Sequence, residues 1–82
     1  MKKKNNETFS GRLYNLRKKK LALNQETLAK KMGLSSITIC LYETGKRGPN
    51  VVFFQKMKKK WNVNLNWLIS GKGDMFVRDN KE

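Results

Sequence analysis

Residues 25–44 constrain the fold of this chain more than any other segment, because signals that start and stop helices follow one another closely there. Asn24 precedes a run with helical apolar spacing, and its side chain can accept a hydrogen bond from the free N–H groups of a first turn. Gly33 follows that run, where glycine reverses the chain at positive φ without steric cost. Ser35 can then cap another helix. The sequence therefore predicts two short helices joined by a tight turn.

The apolar and small residues of this segment fall where two helices that cross at a steep angle need them. Ala29 is small enough for the second helix to approach the first closely. We predict helices over about 25–32 and from Ser36 to Glu43 or Thr44, an arrangement known as a helix-turn-helix. The inward-facing residues are Leu28, Met32, Leu34, Ile39 and Tyr42. The exposed positions that a DNA major groove can accept are Ser36, Ile37, Cys40 and Leu41.

Two later segments resemble a known family. Residues 42–49, Tyr-Glu-Thr-Gly-Lys-Arg-Gly-Pro, are similar to the Tyr/Trp-Glu-x-Gly-x-x-x-Pro loop of a DNA-binding domain. That domain is shared by lambda-type phage repressors, Cro proteins and many bacterial regulators. Residues 61–71 resemble its last helix, with Trp67 and Gly71 in register. The resemblance covers about residues 9–71 and implies an all-α, lambda-repressor-like fold of five helices.

Capping residues and apolar spacing locate the other three helices. Thr8 or Ser10 can start a first helix that reaches about Lys20, and Asn50 can cap a fourth helix over about 51–60. The residues of the fourth helix that we predict to face inward are Val51, Phe54, Met57 and Trp61.

The last helix is bounded by asparagines and a glycine. Asn62 stands where a left-handed terminus of the fourth helix is expected. Asn64 can cap a fifth helix that runs through Ser70 and ends at Gly71.

These helices divide the chain into three parts. We expect a disordered basic arm over 1–7, a DNA-binding domain over 8–71 and a tail over 72–82. The tail resembles the point where longer phage-type repressors pass into the linker to a second domain. It can form a docking strand or fray, and its apolar residues are Met75, Phe76 and Val77.

The resemblance implies which residues contact DNA. Gln25 matches a family position that contacts the DNA backbone, with an amide that can bridge a phosphate and the recognition helix. Lys46, Arg47 and Asn50 lie beside that helix and are expected to hold flanking phosphates; the alternative for the two cations is an ordinary solvated loop. The predicted DNA-binding residues are Gln25, Ser35, Ser36, Ile37, Thr38, Leu41, Lys46, Arg47 and Asn50.

At the family positions that contact DNA bases, this chain has two hydroxyl side chains and two aliphatic side chains. Many relatives place Gln, Arg, Asn or Lys at some of these positions, and such side chains can form bidentate hydrogen bonds to purines. Here Ile37 and Leu41 can pack on thymine methyl groups, while Ser36 and Thr38 can bond to either base type. Selectivity then depends more on the shape and deformability of the DNA. The alternative is that Ile37 and Leu41 turn toward protein, in the core or at an interface.

A second departure from the family lies in the first helix. Family members carry an Arg there that pairs with the Glu closing the recognition helix, here Glu43. The usual spacing lands on Lys18, one residue after Arg17. We predict that Arg17 forms the pair, with a loop one residue longer after the first helix, because Leu13 and Leu16 then face inward. A planar guanidinium also suits a carboxylate better than an ammonium does.

The charge balance favours an anionic partner. The formal net charge is +13, from 19 Lys and Arg against 6 Asp and Glu, which suits nucleic acid, an anionic membrane or an acidic protein. Among these partners, the helix-turn-helix favours double-stranded DNA. RNA is disfavoured, because the sequence shows no aromatic platform on which bases could stack. We interpret the lysine runs at 18–20 and 58–60 as solvated helix ends that add long-range attraction only.

Residues that carry catalysis are scarce. The chain has no His, so a Ser/His or Cys/His nucleophile cannot form, and one Cys with scattered carboxylates builds no metal site. We predict that the protein is not an enzyme and takes no cofactor or small-molecule substrate. Its single Cys suits a reducing cytosol, and no apolar run approaches the roughly 20 residues of a membrane span. A cytoplasmic, bacterial or phage-encoded protein is expected.

The predicted function is sequence-specific binding to double-stranded DNA by a transcriptional regulator, a repressor of phage or prophage type. Family members dimerise on two half-sites, so we expect a palindromic operator and a weak homodimer. The dimer surface is predicted at Leu65, Ile69, Met75 and Phe76. The alternative is an antitoxin or anti-repressor that acts mainly through a protein partner, which would contact Ile37, Leu41 or the segment 75–77.

Overall fold

The first helix changes its winding halfway along. The computed structural model describes residues 6–77, and its first element is α1, Phe9–Asn15, which continues directly into a π-helical segment, Leu16–Leu21. The Thr8 hydroxyl accepts a hydrogen bond from the Gly11 N–H at 3.0 Å, so the helix begins after Thr8, one of the two predicted starts. Its end lies close to the predicted Lys20, but the sequence did not predict the π-helical winding.

The predicted pair of short helices is present with the predicted caps. Helix α2 spans Gln25–Met32 and helix α3 spans Ser36–Glu43. The Asn24 side chain accepts a hydrogen bond from the third residue of α2 at 2.7 Å, and the Ser35 hydroxyl accepts one from the third residue of α3 at 3.2 Å. Gly33 between them has φ 73°, the left-handed conformation that the turn requires.

Two further helices complete the domain, so the described residues contain five helices and an all-α fold is confirmed. Helix α4 spans Val51–Trp61 and helix α5 spans Leu65–Ser70. The Asn50 side chain caps α4 and the Asn64 side chain caps α5, both as predicted. The left-handed ends predicted for these helices are also present, at Asn62 with φ 57° and at Gly71 with φ 87°.

The predicted inward face of α4 was wrong at one position. Val51 is 66% exposed, whereas Phe53 is 2% exposed and fully part of the core. Met57 is buried, and Phe54 and Trp61 are half-buried, as predicted. Val51 lies six residues before Met57, which places it about 120° away around an α-helix, while Phe53 lies one turn away on the same face.

The described part of the tail docks on the domain. The N–H of Asn64 donates to the carbonyl of Met75 at 2.9 Å, and the N–H of Val77 donates to the carbonyl of Asn62 at 2.8 Å. An isolated antiparallel β-bridge joins Val63 to Phe76. Of the two predicted forms, residues 75–77 thus take the docked one, and residues 78–82 lie outside the described residues. The domain boundaries remain a prediction.

Asn6, the first described residue, contacts a buried arginine. The Arg12 guanidinium donates to the carbonyl of Asn6 at 2.8 Å, and to the carbonyls of Leu68 and Ile69 at 2.9 Å each. Arg12 is 5% exposed, so these three carbonyls surround a charge withdrawn from water. The disordered arm predicted over 1–7 falls mainly on residues 1–5, which lie outside the described residues.

One apolar core lies at the centre of the five helices. Tyr42 of α3 packs edge to face on Phe53 of α4, with ring centroids 5.0 Å apart. This contact joins the second helix of the predicted motif to α4 and fixes which side of α3 faces outward. The buried apolar residues are Leu13, Leu16, Leu28, Ala29, Met32, Ile39, Tyr42, Phe53, Met57, Val63, Trp67 and Leu68. No helix among residues 6–77 is long and apolar enough to cross a lipid bilayer.

Candidate nucleic-acid interface

Helix α3 presents a small apolar and hydroxyl surface to solvent. Ile39, Tyr42 and Glu43 are buried and fix the rotation of the helix about its axis. The positions on the opposite side are consequently exposed, and Ile37 is the most accessible large apolar residue described, at 69%. Ser36 and Cys40 are exposed, and Thr38 and Leu41 are half-buried. The predicted burial of Ile37 in the core, one of the two alternatives for this residue, is therefore excluded.

The hydroxyls at the start of α3 have different surroundings. Ser35 lies at the cap, and its Oγ is 3.0 Å from the Oγ1 of Thr38 in addition to accepting the Thr38 N–H. Both side chains thus take part in closing the first turn. Ser36 is exposed on the first turn and is the better placed hydroxyl for an external partner.

A buried carboxylate joins α3 to the first helix. Glu43 is 2% exposed, and its Oε2 accepts from the Nε of Arg17 at 2.6 Å while its Oε1 accepts from Nη2 at 2.9 Å. The third donor of the guanidinium, Nη1, donates to the carbonyl of Leu23 at 2.9 Å. The predicted pair of Arg17 with Glu43 is confirmed, and Lys18 is exposed.

The location of the extra residue differs from the prediction. We expected a longer loop after the first helix, but the structure has a π-helical segment from Leu16 to Leu21 instead. Such a turn is wider than an α-helical turn and takes in one more residue. The additional residue therefore lies within the helix, and Arg17 pairs with Glu43 at the beginning of this segment.

Gln25 extends this cluster to the start of α2. Its Nε2 donates to the Oε1 of Glu43 at 3.0 Å, so one carboxylate holds side chains from the first helix and from α2. Gln25 is half-buried and is the first residue of α2. The family resemblance assigned the Gln25 amide to a bridge between a phosphate and α3. In the structure this amide is hydrogen-bonded to the last residue of α3, and its second N–H and its oxygen remain available for a further contact.

The loop after α3 places two cations beside the helix. The N–H groups of Lys46 and Arg47 donate to the carbonyl of Leu41 at 3.0 and 3.3 Å. Both side chains are exposed. Asn50 is exposed as well, and because its Oδ1 accepts from the Phe53 N–H at 3.0 Å, its Nδ2 is the group left to donate outward. Backbone hydrogen bonds therefore keep the loop against α3.

One contributor to this arrangement had no signal in the sequence. The Nζ of Lys56 on α4 donates to the carbonyl of Met32 at 2.9 Å, at the C-terminal end of α2. Its half-buried ammonium also lies 3.5 Å from the position that a Cβ on Gly33 would take. Lys56 thereby ties the turn of the motif to α4. Among residues 6–77, no group of three or more His, Cys, Asp or Glu side chains gathers as a metal site would require.

Comparisons with known proteins agree with this geometry. A family model described as helix-turn-helix matches residues 13–68. The P22 c2 repressor in complex with synthetic operator 9T has a similar structure, with a TM-score of 0.69 and 26% identity over 79% of this chain and 97% of that one. The solution structure of the DNA-binding domain of the P22 c2 repressor has a TM-score of 0.68 and 26% identity, over 94% and 95% of the two chains. The comparison with curated proteins found no match.

The chain belongs to the helix-turn-helix family, in the lambda-repressor-like class of DNA-binding transcriptional regulators.

Proposed function

We propose that this protein is a repressor of phage or prophage type that binds double-stranded DNA with α3 in the major groove. The observation that carries the proposal is the outward face of α3. Its exposed Ser36 and Ile37 stand on a helix whose far end is anchored by the buried pair of Arg17 and Glu43. The P22 c2 repressor, which shares this fold, is described in complex with an operator.

Phosphates on either side of the groove have suitable partners. The N-terminus of α2 offers N–H groups and the positive end of a helix dipole, and Gln25 adds its second amide N–H. In the loop after α3, Lys46, Arg47 and Asn50 offer two cations and an amide. These contacts set affinity and register without selecting a sequence.

Base selectivity rests on the aliphatic side chains of α3. Ile37 is 69% exposed and has no role in the core, so its methyl groups are available to the methyl group of a thymine in the major groove. Leu41 is half-buried one turn further along the same side. Ser36 and Thr38 add hydrogen bonds that suit several bases, and DNA shape supplies the rest of the selectivity.

Two copies are expected on one palindromic operator. Ile69 of α5 is 53% exposed, whereas Leu65, Met75 and Phe76 are half-buried, and the last two pack against the core. So little apolar surface supports only weak association without DNA. Sedimentation should show mainly monomer for the free protein and two copies on a palindromic duplex. A tight dimer without DNA that survives removal of residues 72–82 would refute a role for the tail.

Selection of bound duplexes from a random pool tests the proposal. We expect a palindromic pair of half-sites, in which replacing a contacted thymine by uracil weakens binding of the native protein. The Ile37→Ala variant should lose that dependence on the methyl group, and Val51→Ala, at an exposed aliphatic position of α4, should retain it. If no sequence is enriched and binding does not depend on salt, the alternative of a protein partner for Ile37 is supported instead.

A further inference from the structure

Five lysines lie in the last turns of α2 and α4. They form what we call the lysine face, composed of Lys30, Lys31, Lys58, Lys59 and Lys60, and all five are exposed. Lys31 and Lys60 line one groove with the half-buried Trp61, and the volume of this groove is about 240 Å³. One lysine of α2 and one lysine of α4 therefore border the same groove.

The lysine face is remote from the proposed operator contacts. Gln25 and Asn50 stand at the N-terminal ends of α2 and α4, whereas the lysines stand at the opposite ends of the same helices. At about 1.5 Å per residue, Lys31 lies about 9 Å along α2 from Gln25, and Lys60 lies about 15 Å along α4 from Asn50. A duplex held at the N-terminal ends therefore leaves the lysine face open.

These ammonium groups are not needed to close the two helices. Lys56 already donates to the Met32 carbonyl at 2.9 Å, and the N–H of Leu34 donates to the carbonyl of Ala29 at 2.8 Å. At the end of α4, the N–H of Asn62 donates to the carbonyl of Lys58 at 2.8 Å. Basic residues in a last turn also interact with the helix dipole, but that effect is only about 0.3–1 kcal/mol for an exposed group.

The charges of the lysine face are also uncompensated within the described part of the chain. The structure describes no ion pair with a carboxylate for any of these five groups within residues 6–77. The sequence itself has no Asp or Glu from residue 44 to residue 73, a stretch that includes all of α4 and α5. Exposed lysines of two helix ends that form no described ion pair are suited to an external polyanion.

We propose that the lysine face binds the phosphate backbone of a second DNA duplex, independently of its base sequence, while α3 occupies the first. A duplex carries one negative charge per about 1.7 Å of its axis, so it can engage several lysines at once. The set consists only of lysines, which bind phosphates as point charges and need no fixed bidentate geometry. This site is separate from the recognition helix and would let one protein molecule hold two DNA segments together.

A capture experiment tests this site. A duplex obtained from the random-pool selection is fixed on beads and saturated with protein, and a fluorescent duplex of unrelated sequence is then added. The native protein should capture the second duplex, and capture should weaken as salt rises. In the variant K31Q/K60Q, the salt slope for the second duplex should be less steep by about 2, with affinity at 0.1 M salt reduced about tenfold or more. Binding to the bead-bound duplex should be unchanged.

The variant K19Q/K20Q serves as the matched control, because it removes the same charge from exposed lysines of the first helix. It should retain capture. Equal losses in both variants, no capture by the native protein, or capture by the native protein that K31Q/K60Q leaves intact would each overturn the proposal. Capture of polyglutamate in preference to the duplex would assign the lysine face to an acidic protein and overturn it as well. If the random-pool selection enriches no duplex, the repressor proposal fails, and direct titration of the native protein and of K31Q/K60Q with a free duplex of arbitrary sequence then tests whether the lysine face binds DNA.

Discussion

Two arginines of the first helix, Arg12 and Arg17, are each only 5% exposed, yet they are held in different ways. Arg17 lies at the end of the molecule that carries the proposed DNA contacts, which we call the recognition end. It pairs with the buried carboxylate of Glu43 at 2.6 Å. Arg12 faces the other end, where its three described hydrogen bonds all go to backbone carbonyls, those of Asn6, Leu68 and Ile69. The Arg17 guanidinium neutralises a buried carboxylate. The Arg12 guanidinium joins the backbone at Asn6 to the backbone of α5 at Leu68 and Ile69.

This difference determines what each arginine stabilises. Removing one member of a buried ion pair leaves an uncompensated charge away from water, which is far more unfavourable than losing hydrogen bonds to carbonyls. The Arg17 cluster also contains Gln25, so it sets the position of α2 against α3. The Arg12 cluster contains no residue of the proposed operator contacts. We therefore expect the recognition end to couple stability to binding, and the opposite end to affect stability alone.

The largest effect should follow from Arg17→Ala, which leaves the Glu43 carboxylate buried without its cation. We expect a loss of about 3–5 kcal/mol in the free energy of unfolding, measured by urea denaturation, together with loss of duplex binding. Lys18→Ala is the control, because Lys18 is exposed, and its effect should stay within about 0.5 kcal/mol. The reverse order would show that the pairing in the first helix is out of register by one residue.

A change confined to the surface of the recognition end should weaken binding without altering stability. The double variant K46A/R47A removes two exposed cations beside α3. The slope of log K against log salt should become less steep by about 1.8, which at 0.1 M salt is a loss of about 2.4 kcal/mol for every duplex tested, taken relative to 1 M salt. The urea midpoint should not move. An unchanged slope would place the phosphate contacts elsewhere, and K19A/K20A provides the comparison at equal charge.

Arg12→Ala should lower the free energy of unfolding by about 2 kcal/mol, because three carbonyls lose their donor but no buried carboxylate is left alone. Arg12→Lys should recover little of this, since one ammonium cannot reproduce the fork that contacts Asn6, Leu68 and Ile69. Affinity for a duplex with a single half-site, measured well below the melting temperature, should remain native, because Arg12 contacts none of the proposed DNA-binding residues. A loss of affinity in Arg12→Ala, or a destabilisation equal to that of Arg17→Ala, would remove the distinction between the two ends.

The smallest effect should be a gain. Ala22 ends the π-helical segment in the left-handed conformation, with φ 55°, and a Cβ there is unfavourable by roughly 1–2 kcal/mol. Ala22→Gly should therefore raise stability by about 1 kcal/mol or slightly less, after the entropy of the unfolded chain is counted. Asn62→Gly is the matched change at φ 57°, and its effect should be smaller because Asn tolerates this conformation. Thermal melts of the two variants side by side give the comparison.

Local chemistry was enough to predict most helix boundaries. Asn24, Ser35, Asn50 and Asn64 all cap helices because a short side-chain oxygen next to a free N–H acts within a few residues. The buried face of each helix was harder to predict than its ends. Val51 and Phe53 are both apolar at the start of α4, and only the position of the neighbouring helices buries one and exposes the other.

Long-range contacts of polar groups were the least predictable. Arg12 contacts carbonyls 56 and 57 residues away, and Lys56 contacts the Met32 carbonyl 24 residues away. Backbone carbonyls have the same chemistry at every residue, so nothing in the sequence marks which of them a basic side chain will reach. The pairing of Arg17 was predicted only because the family resemblance supplied its partner, and the outcome fits that prediction.

The sequence by itself determined the five helices, the turn between α2 and α3 and the cationic character of the chain, because caps, glycines and charges act locally or as a sum. The tertiary structure alone decided how the extra residue of the first helix is accommodated. A longer loop and a π-helical turn are both compatible with the sequence, and the structure has the π-helical segment, with Arg17 paired to Glu43 and with Leu13 and Leu16 in the core. Packing and a buried ion pair, which exist only once the helices have assembled, select between them.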